Sequence, residues 1–229
     1  MKRLHILYTL LFIWLLPVTS NGQPAGKEKL RVISYNIWNG FEHDASRRAN
    51  FINWIKGQQP DILAMTELVG FTEKDLGQLA SEYGHKYYAI VKEEGYPVGI
   101  TSNEPITVVK KQMEGFWHGM LHVKTHGLDM IVTHLSPHDW KFRLKEAQML
   151  TSYIQDNQLD NCMVMGDFNA YSPFDADWVE THAQLIENMQ KWDAEQETYR
   201  NMRDGRLDYS VLSQFLSIGL TDICRLYVP

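Results

Sequence analysis

Polar side chains capable of metal binding or catalysis stand where four apolar, strand-like segments of this sequence end. The clearest segment is "MVMGDFNAYSP", in which an apolar run stops at Asp167 and Asn169. Three other segments end in the same way, on Asn36, Glu67 and His134. Each residue alone has an ordinary structural explanation, such as a turn cap, an Asx turn or a hydrogen-bonded histidine. Four separate strands that all end this way indicate side chains that converge on one edge of a sheet.

The chemistry of this set is that of a hard divalent metal ion beside a phosphate group. Asn36 and Glu67 offer oxygen ligands, and no cysteine or histidine cluster accompanies them in the sequence. Such ligands predict Mg²⁺, with Mn²⁺ as an alternative, and Mg²⁺ commonly binds phosphate oxygens. His134 can then donate a hydrogen bond to the phosphate, Asp167 can orient or deprotonate water, and Asn169 can hold a non-bridging oxygen.

The segments that carry these residues alternate with helices in a pattern typical of a mixed α/β layered domain. In the first helix, Ser46 is a candidate N-cap, and Phe51, Trp54 and Ile55 are predicted to face inward. Because four predicted strands follow one another without a crossover helix, a purely parallel sheet is excluded. The predicted strands are 30–36, 62–67, 86–91, 98–102, 106–111, 119–125, 128–134 and 161–167, and the predicted helices are 46–59, 73–84, 140–157, about 175–192 and 208–218.

The first 22 residues predict an export signal that is separate from the folded domain. Lys2 and Arg3 precede the short apolar run "LHILYTLLFIWLL", which small and polar residues then end. An uncleaved N-terminal anchor is the alternative, although the apolar run is short for a membrane span. The sequence therefore predicts a secreted or periplasmic protein with one domain over residues 23–229.

Composition limits the class of protein without deciding its substrate. The formal net charge of the chain is −6, and removing the two basic residues of the signal makes it more negative by two. An acidic protein is a poor nonspecific binder of polyanions, which argues only weakly against a nucleic-acid substrate. The two cysteines, Cys162 and Cys224, exclude a disulfide framework. They can pair with each other, but two buried free thiols are the preferred prediction.

Five segments, in the same order along the chain, resemble the motifs of the endonuclease/exonuclease/phosphatase superfamily. The resemblance covers about residues 30–226, and it departs at Thr66, where the family usually has glutamine. It implies a four-layer α/β/β/α sandwich with two mixed β-sheets and Mg²⁺-dependent in-line hydrolysis of a phosphate ester. The five segments are "ISYNIWNG" (33–40), "PDILAMTEL" (60–68), "GITSNEPI" (99–106), "VTHLSP" (132–137) and "MGDFNA" (165–170).

The same resemblance assigns roles to the residues at the strand ends. It implies that Asn36 and Glu67 are metal ligands. It also implies that His134 contacts the phosphate and that Asp167 and Asn169 act in catalysis. The substrate class stays open among nucleic acid, phospholipid and small phosphoester, because neither a Lys/Arg cluster nor an exposed apolar hairpin stands out. No protein partner is indicated.

The C-terminal part departs from the family's pattern. The family ends with a strand that carries an Asp and then a Ser-Asp-His segment, whose His is essential, and this sequence has neither securely. "GRLDYSVLS" would make Asp208 the catalytic carboxylate, but the apolar spacing after it is helical. "GLTDICRLY" resembles an earlier family segment, in which Asp222 is predicted to be structural. The sequence thus predicts a C-terminally truncated domain with an incomplete second sheet, and a noncatalytic exported binding protein of the same fold is the alternative to an enzyme.

Residues near the motifs are predicted to have structural rather than catalytic roles. Trp117 and His118 open a predicted strand, and packing at the rim of the site is the preferred interpretation. Lys141, Arg143 and Lys145 begin the long helix and are predicted to form a solvated face, with an approach of Arg143 to a phosphate as the alternative.

Overall fold

The structure is a computed structural model that describes residues 29–198 and 200–227. The predicted export signal lies outside the described residues, so export stays a prediction. Within the described ranges, no helix is both long and apolar enough to cross a membrane. The described chain forms two four-stranded sheets and a small two-stranded hairpin.

Both main sheets are mixed, as the sequence predicts. The first has the order β1-β2-β4-β3 and the second the order β5-β6-β7-β8. In each sheet one pair is parallel, β1 with β2 and β7 with β8, and the remaining pairs are antiparallel. Every predicted strand is confirmed, and no end differs by more than two residues. The strands are Val32–Asn36 (β1), Ile62–Thr66 (β2), Tyr87–Ile90 (β3), Gly99–Ser102 (β4), Thr107–Gln112 (β5), Met120–Thr125 (β6), Leu128–His134 (β7), Cys162–Asp167 (β8), Met202–Arg203 (β9) and Arg206–Leu207 (β10).

The helices lie around the two sheets, and the first of them is unusual because its residues have left-handed backbone angles. A 3-10 turn over Pro173–Asp175 precedes the C-terminal helices. The helices are Trp38–Phe41 (α1), Ala45–Gln58 (α2), Glu73–Glu82 (α3), Trp140–Asp156 (α4), Ala176–Glu180 (α5), Ala183–Glu195 (α6), Ser210–Ser217 (α7) and Ile223–Tyr227 (α8).

Three hydrophobic clusters define four layers, which confirms the predicted α/β/β/α sandwich. Strand β7 shows the arrangement, because alternate side chains of a strand face opposite sides of its sheet. Met130 and Val132 pack between the two sheets, whereas Ile131 packs outward against α4 and α7. On the far side of the first sheet, α2 and α3 contribute Ile55 and Leu79 to the third cluster. Both sheets have four strands, and the incompleteness expected of the second sheet stays a prediction.

The N-cap of helix α2 lies two residues before the predicted Ser46, and one residue predicted to face the core is exposed instead. Asp44, not Ser46, is the N-cap, because its carboxylate accepts hydrogen bonds from the backbone N–H groups of Ser46 and Arg47. Phe51 and Ile55 are buried as predicted, but Trp54 is 43% exposed. Strand β1 is the edge of its sheet, so Trp54 reaches beyond the covered surface and packs against Tyr35, with ring centroids 5.3 Å apart.

Helix α4 buries one of the three basic residues that the sequence predicts to form a solvated face. Lys141 and Lys145 are exposed as predicted, but Arg143 is buried, which corrects the prediction of a solvated face. Its guanidinium donates to the carbonyl oxygen of Ser136 and to the side-chain oxygen of Asn201, at 2.8 and 2.7 Å. The arginine therefore ties α4 to the loop after β7 and to the chain before β9.

The C-terminal region is more finely divided than predicted. The helix predicted over about 175–192 is two helices, α5 and α6, and the hairpin β9–β10 was not predicted. The helical interpretation of "YSVLSQFLS" is confirmed by α7, and Asp208 accepts a hydrogen bond from the backbone N–H of Ser210 at the start of that helix. Asp222 accepts hydrogen bonds from Ser172 and from the backbone of Cys224. Both carboxylates therefore have structural partners.

Both cysteines are free, but only one is sheltered from solvent. Cys162 is half-buried in β8, whereas Cys224 is exposed on α8. The prediction of two free thiols is confirmed, and the prediction that both are buried is wrong for Cys224. The reason is that α8 contributes no residue to the buried core.

Candidate active site

Four of the five predicted site residues meet at one edge where the two sheets come together. Strands β1 and β2 deliver Asn36 and Glu67, and strands β7 and β8 deliver His134 and Asp167. The side-chain amide of Asn36 donates to Glu67 at 2.9 Å and to Asp167 at 3.1 Å. His134 Nε2 lies 3.9 Å from Asp167 Oδ2. The parallel pairing in each sheet produces this convergence, because parallel strands end at the same edge.

The fifth predicted residue, Asn169, supports the site through its backbone and its side-chain amide. Its backbone N–H donates to Asp167 Oδ1 at 2.9 Å, which is the Asx turn considered as an alternative for "DFN". Its side-chain amide donates to the carbonyl oxygen of Leu135 at 2.9 Å. These bonds leave Asp167 Oδ2 directed toward Asn36 and His134. Asn169 thus joins the ends of β7 and β8 beside the cleft.

A left-handed turn, which the sequence did not reveal, holds Glu67 in place. Six consecutive residues, 38–43, have φ between 47° and 64°. Within this turn, the backbone N–H of Asn39 donates to Glu67 Oε2 and that of Gly40 donates to the backbone oxygen of Glu67, both at 2.8 Å. A Cβ on Gly40 would lie 2.1 Å from the backbone oxygen of Val69. Left-handed residues other than glycine cost about 1 kcal/mol or more each, so packing around the turn must offset this strain.

The imidazole of His134, which lies beside Asp167, is paired with a second imidazole, that of His118. The ring of His134 stacks on that of His118, with centroids 4.3 Å apart and planes inclined by 27°. Burial lowers the pKa of His134 more than the charges of Asp167 and Glu67 raise it. Burial, with contributions from His134, Lys92 and His138, lowers the pKa of His118 to about 3. His134 Nδ1 is buried and has no hydrogen-bond partner within the described part of the chain.

A cleft of about 820 Å³ opens beside these groups. Its polar end is formed by Asn36, Asp167 and Asn169, and its apolar wall includes Met189 and Trp192 of α6. Of the five predicted site residues, the lining of the cleft includes Asn36, Asp167 and Asn169, so a molecule in the cleft would meet these three at one of its ends.

The donor set fits a hard cation. Glu67 and Asp167 share one amide, and neither forms an ion pair with a lysine or arginine of the described residues. Since His134 is neutral, two carboxylates stand together without a positive partner. Counting only His, Cys, Asp and Glu, the described residues contain no group of three that could hold a metal ion. One or two carboxylates with carboxamides is the thin shell typical of Mg²⁺, whereas zinc and Ca²⁺ sites are richer in ligands.

A match to the model of a protein family establishes the family to which this chain belongs. The model of the Endonuclease/Exonuclease/phosphatase family matches residues 33–217, which is most of the chain. The chain belongs to this family. The match includes all five residues predicted from the strand ends, and the Endonuclease/Exonuclease/phosphatase family is the one that the sequence motifs resemble.

Solved structures show the same fold at low sequence identity. The 3′ phosphatase NExo from Neisseria, bound to a product DNA hairpin, aligns with a TM-score of 0.63 and 20% identity over 88% of this chain and 76% of its own. An AP endonuclease from Archaeoglobus fulgidus aligns with a TM-score of 0.57 and 20% identity over 86% of this chain and 74% of its own. The comparison with curated proteins found no match. At this identity the two structures support the family's fold and carry no assignment of substrate.

A buried carboxyl, Glu146, joins the loop between β5 and β6 to the loop after β7. Its two oxygens accept hydrogen bonds from the backbone N–H groups of Trp117 and Ser136, both at 2.8 Å. Burial raises the pKa of Glu146 from 4.5 to about 7, although these two hydrogen bonds and the charge of Arg143 lower it. The sequence did not identify Glu146, because its role depends on two loops that are distant in the chain.

This carboxyl should make stability depend on pH. The folded state holds the proton of Glu146 more tightly than the unfolded state does. The contribution of this proton to the free energy of unfolding is therefore fully present below pH 4.5 and declines as the pH rises to about 7. The shift corresponds to a loss of roughly 3 kcal/mol across that window. Urea unfolding at several pH values should show that Glu146→Gln lacks this decline. Parallel curves of stability against pH for the wild type and the variant would contradict the prediction.

Proposed function

We propose that this protein is a Mg²⁺-dependent hydrolase of phosphate esters, in which water attacks the phosphorus in line with the leaving group. Its membership of a family of endonucleases, exonucleases and phosphatases supports the general class. The observation that carries the proposal is the shared amide of Asn36, which gathers Glu67 and Asp167 without any positive partner among the described residues. A divalent cation would balance this charge.

Glu67 is the proposed principal ligand of the metal, with Asn36 beside it. Glu67 is 8% exposed, and its two oxygens already have fixed directions, because each accepts one hydrogen bond. Asn36 Oδ1 accepts the backbone N–H of Trp38 at 2.8 Å and keeps a second lone pair. Bound Mg²⁺, or Mn²⁺, would act as a Lewis acid on a phosphoryl oxygen.

The remaining residues have proposed roles around the reacting phosphorus. Asp167 Oδ2 accepts a proton or a hydrogen bond from the attacking water, because Asp167 lines the cleft and this oxygen lies 3.1 Å from the Asn36 amide and 3.9 Å from His134 Nε2. Neutral His134 donates one ring N–H to a phosphoryl oxygen, where negative charge grows in the transition state. Asn169 holds the loop after β8 and offers its side-chain oxygen to the same region.

Hydrolysis assays with and without a divalent ion test this function. The substrates are bis(p-nitrophenyl) phosphate, p-nitrophenyl phosphate, single-stranded DNA, sphingomyelin and inositol phosphates, each with Mg²⁺, with EDTA, and with EDTA followed by excess Mg²⁺. We expect turnover of at least one substrate that EDTA abolishes and Mg²⁺ restores, with inversion of configuration at a chiral phosphorothioate. Turnover that survives EDTA would overturn the proposal. Binding of Mg²⁺ and phosphate without turnover would favour the alternative, a noncatalytic binding protein of this fold.

A further inference from the structure

Within the described residues, the ring of His134 is oriented by packing rather than by hydrogen bonds. Its Nε2 lies 3.9 Å from Asp167 Oδ2, which is longer than a hydrogen bond, and its buried Nδ1 has no partner. The ring stacks instead on that of His118, with centroids 4.3 Å apart and planes inclined by 27°. The proposed donation of a ring N–H to a phosphoryl oxygen needs a defined ring plane. A residue that positions His118 therefore also positions His134.

Glu146 of helix α4 bonds to the backbone beside both rings of this stack. One of its carboxyl oxygens accepts the N–H of Trp117, the residue before His118, at 2.8 Å. The other oxygen accepts the N–H of Ser136, two residues after His134, also at 2.8 Å. The side chain of Glu146 is fully buried, so water does not compete for either bond. One carboxyl group thus links the two segments that carry the stacked rings.

The two linked segments differ in the support that they receive from α4. The segment after β7 has a second bond to this helix, because the guanidinium of Arg143 donates to the backbone oxygen of Ser136 at 2.8 Å. For the β5–β6 loop, residues 113–119, the hydrogen bond to α4 comes from Glu146. Loss of the carboxyl group should therefore displace the β5–β6 loop more than the segment after β7. His118 lies in that loop, so the stack would loosen from its side.

We propose that Glu146 is a positioning residue of the candidate active site, which holds His118 against His134 and so fixes the direction of the His134 ring N–H. Glu146 is not among the residues that line the cleft, so it acts through the two loops. Both of its oxygens are needed as acceptors, because a buried backbone N–H without a partner is costly. The effect on catalysis rests on the proposed function of His134, whereas the effect on the histidine stack does not.

Nuclear magnetic resonance of labelled histidine rings tests the stack without substrate or metal. The ring protons of His134 report on the stack, because the neighbouring aromatic ring shifts their signals. Spectra are recorded at about pH 8, where imidazoles with an ordinary or lowered pKa are neutral. His118→Ala supplies the signal positions of an unstacked His134.

Two variants of Glu146 and one matched control complete the experiment. Glu146→Gln keeps one acceptor and places a donor opposite the other N–H, and Glu146→Asp keeps the charge on a side chain too short for both bonds. The control is Thr151→Val, which removes another buried polar group of α4. The hydroxyl of Thr151 accepts a hydrogen bond from Gln214 of α7 at 2.9 Å, so its loss destabilises the protein away from the stack. Thermal unfolding shows which variants are folded.

We expect the His134 signals of both Glu146 variants to move toward their positions in His118→Ala, and those of Thr151→Val to stay at the wild-type positions. For a substrate that the wild type hydrolyses, kcat of the Glu146 variants should fall about tenfold, because the N–H donor is misdirected. Their Mg²⁺ affinity should stay at the wild-type value, since Asn36 and Glu67 belong to the other sheet.

Wild-type His134 signals in a folded Glu146 variant would overturn the proposal, and so would an equal movement of these signals in Thr151→Val. Because the spectra need no turnover, this result is independent of the hydrolysis assays. Moved signals in a protein that hydrolyses none of the substrates would support the positioning of the stack by Glu146 and count against the proposed function alone.

Discussion

Glu67→Gln should reduce Mg²⁺-dependent hydrolysis by about 10³-fold. The substitution removes one negative charge from the pair that we propose as the metal site, and metal-ion catalysis contributes several kcal/mol to transition-state stabilisation. At 1.36 kcal/mol for each tenfold change, a loss of about 4 kcal/mol gives this factor. Geometry adds to the effect. Glu67 accepts from both the Asn36 amide and the Asn39 N–H, and glutamine can accept only one of these two bonds, because its NH₂ group is a donor.

The measurement is kcat/KM across a Mg²⁺ titration, together with calorimetric titration of Mg²⁺ and Mn²⁺ into the protein without substrate. The matched control is Glu104→Gln, which removes the same charge from a side chain that is 63% exposed at the other end of β4. Glu104→Gln should leave both kcat/KM and metal affinity close to wild type. Wild-type metal affinity in Glu67→Gln would show that the ion, if one acts, is held elsewhere.

The convergence of site residues could be predicted from the sequence because it depends on local patterns. Each strand was identified by its apolar run, and the last residue of each was polar. Two parallel pairs then place Asn36 with Glu67 and His134 with Asp167 at shared edges. No long-range information was needed beyond the packing of one sheet on the other.

The parts that escaped prediction all depend on contacts between distant segments. The left-handed turn at 38–43 exists because Gly40 approaches Val69 and because Glu67 accepts its N–H groups. "NG" at 39–40 favours positive φ at these two residues, but it does not predict six such residues in succession. Arg143 looked like part of an exposed basic face, because its partner Asn201 lies 58 residues away. His118 was expected to pack at a rim, and only the antiparallel pairing of β6 with β7 brings it onto His134.

Gly166→Ala should destabilise the protein by at least about 3 kcal/mol. Gly166 precedes Asp167 in β8 and has a φ of 130°, a conformation that residues with a Cβ rarely adopt. A Cβ at this position would lie 1.8 Å from the backbone oxygen of Thr133, its partner in the parallel pair β7–β8. The contact is with backbone, so no side chain can rotate away, and the two strands must separate. That separation would also move Asp167 from its register with His134.

Urea unfolding of Gly166→Ala measures this loss, and a second glycine provides the matched control. Gly57 lies within α2, and a Cβ there would meet nothing within 4 Å. Gly57→Ala should therefore increase stability by about 0.5–1 kcal/mol, because alanine favours the helix. If Gly166→Ala unfolds at the wild-type urea concentration, the backbone oxygen of Thr133 does not lie as close to the Cβ position of residue 166 as the distance of 1.8 Å indicates. The positions of His134 and Asp167 both depend on the close pairing of β7 with β8. A looser pairing would let the ends of the two strands move relative to each other, which the proposed site does not allow.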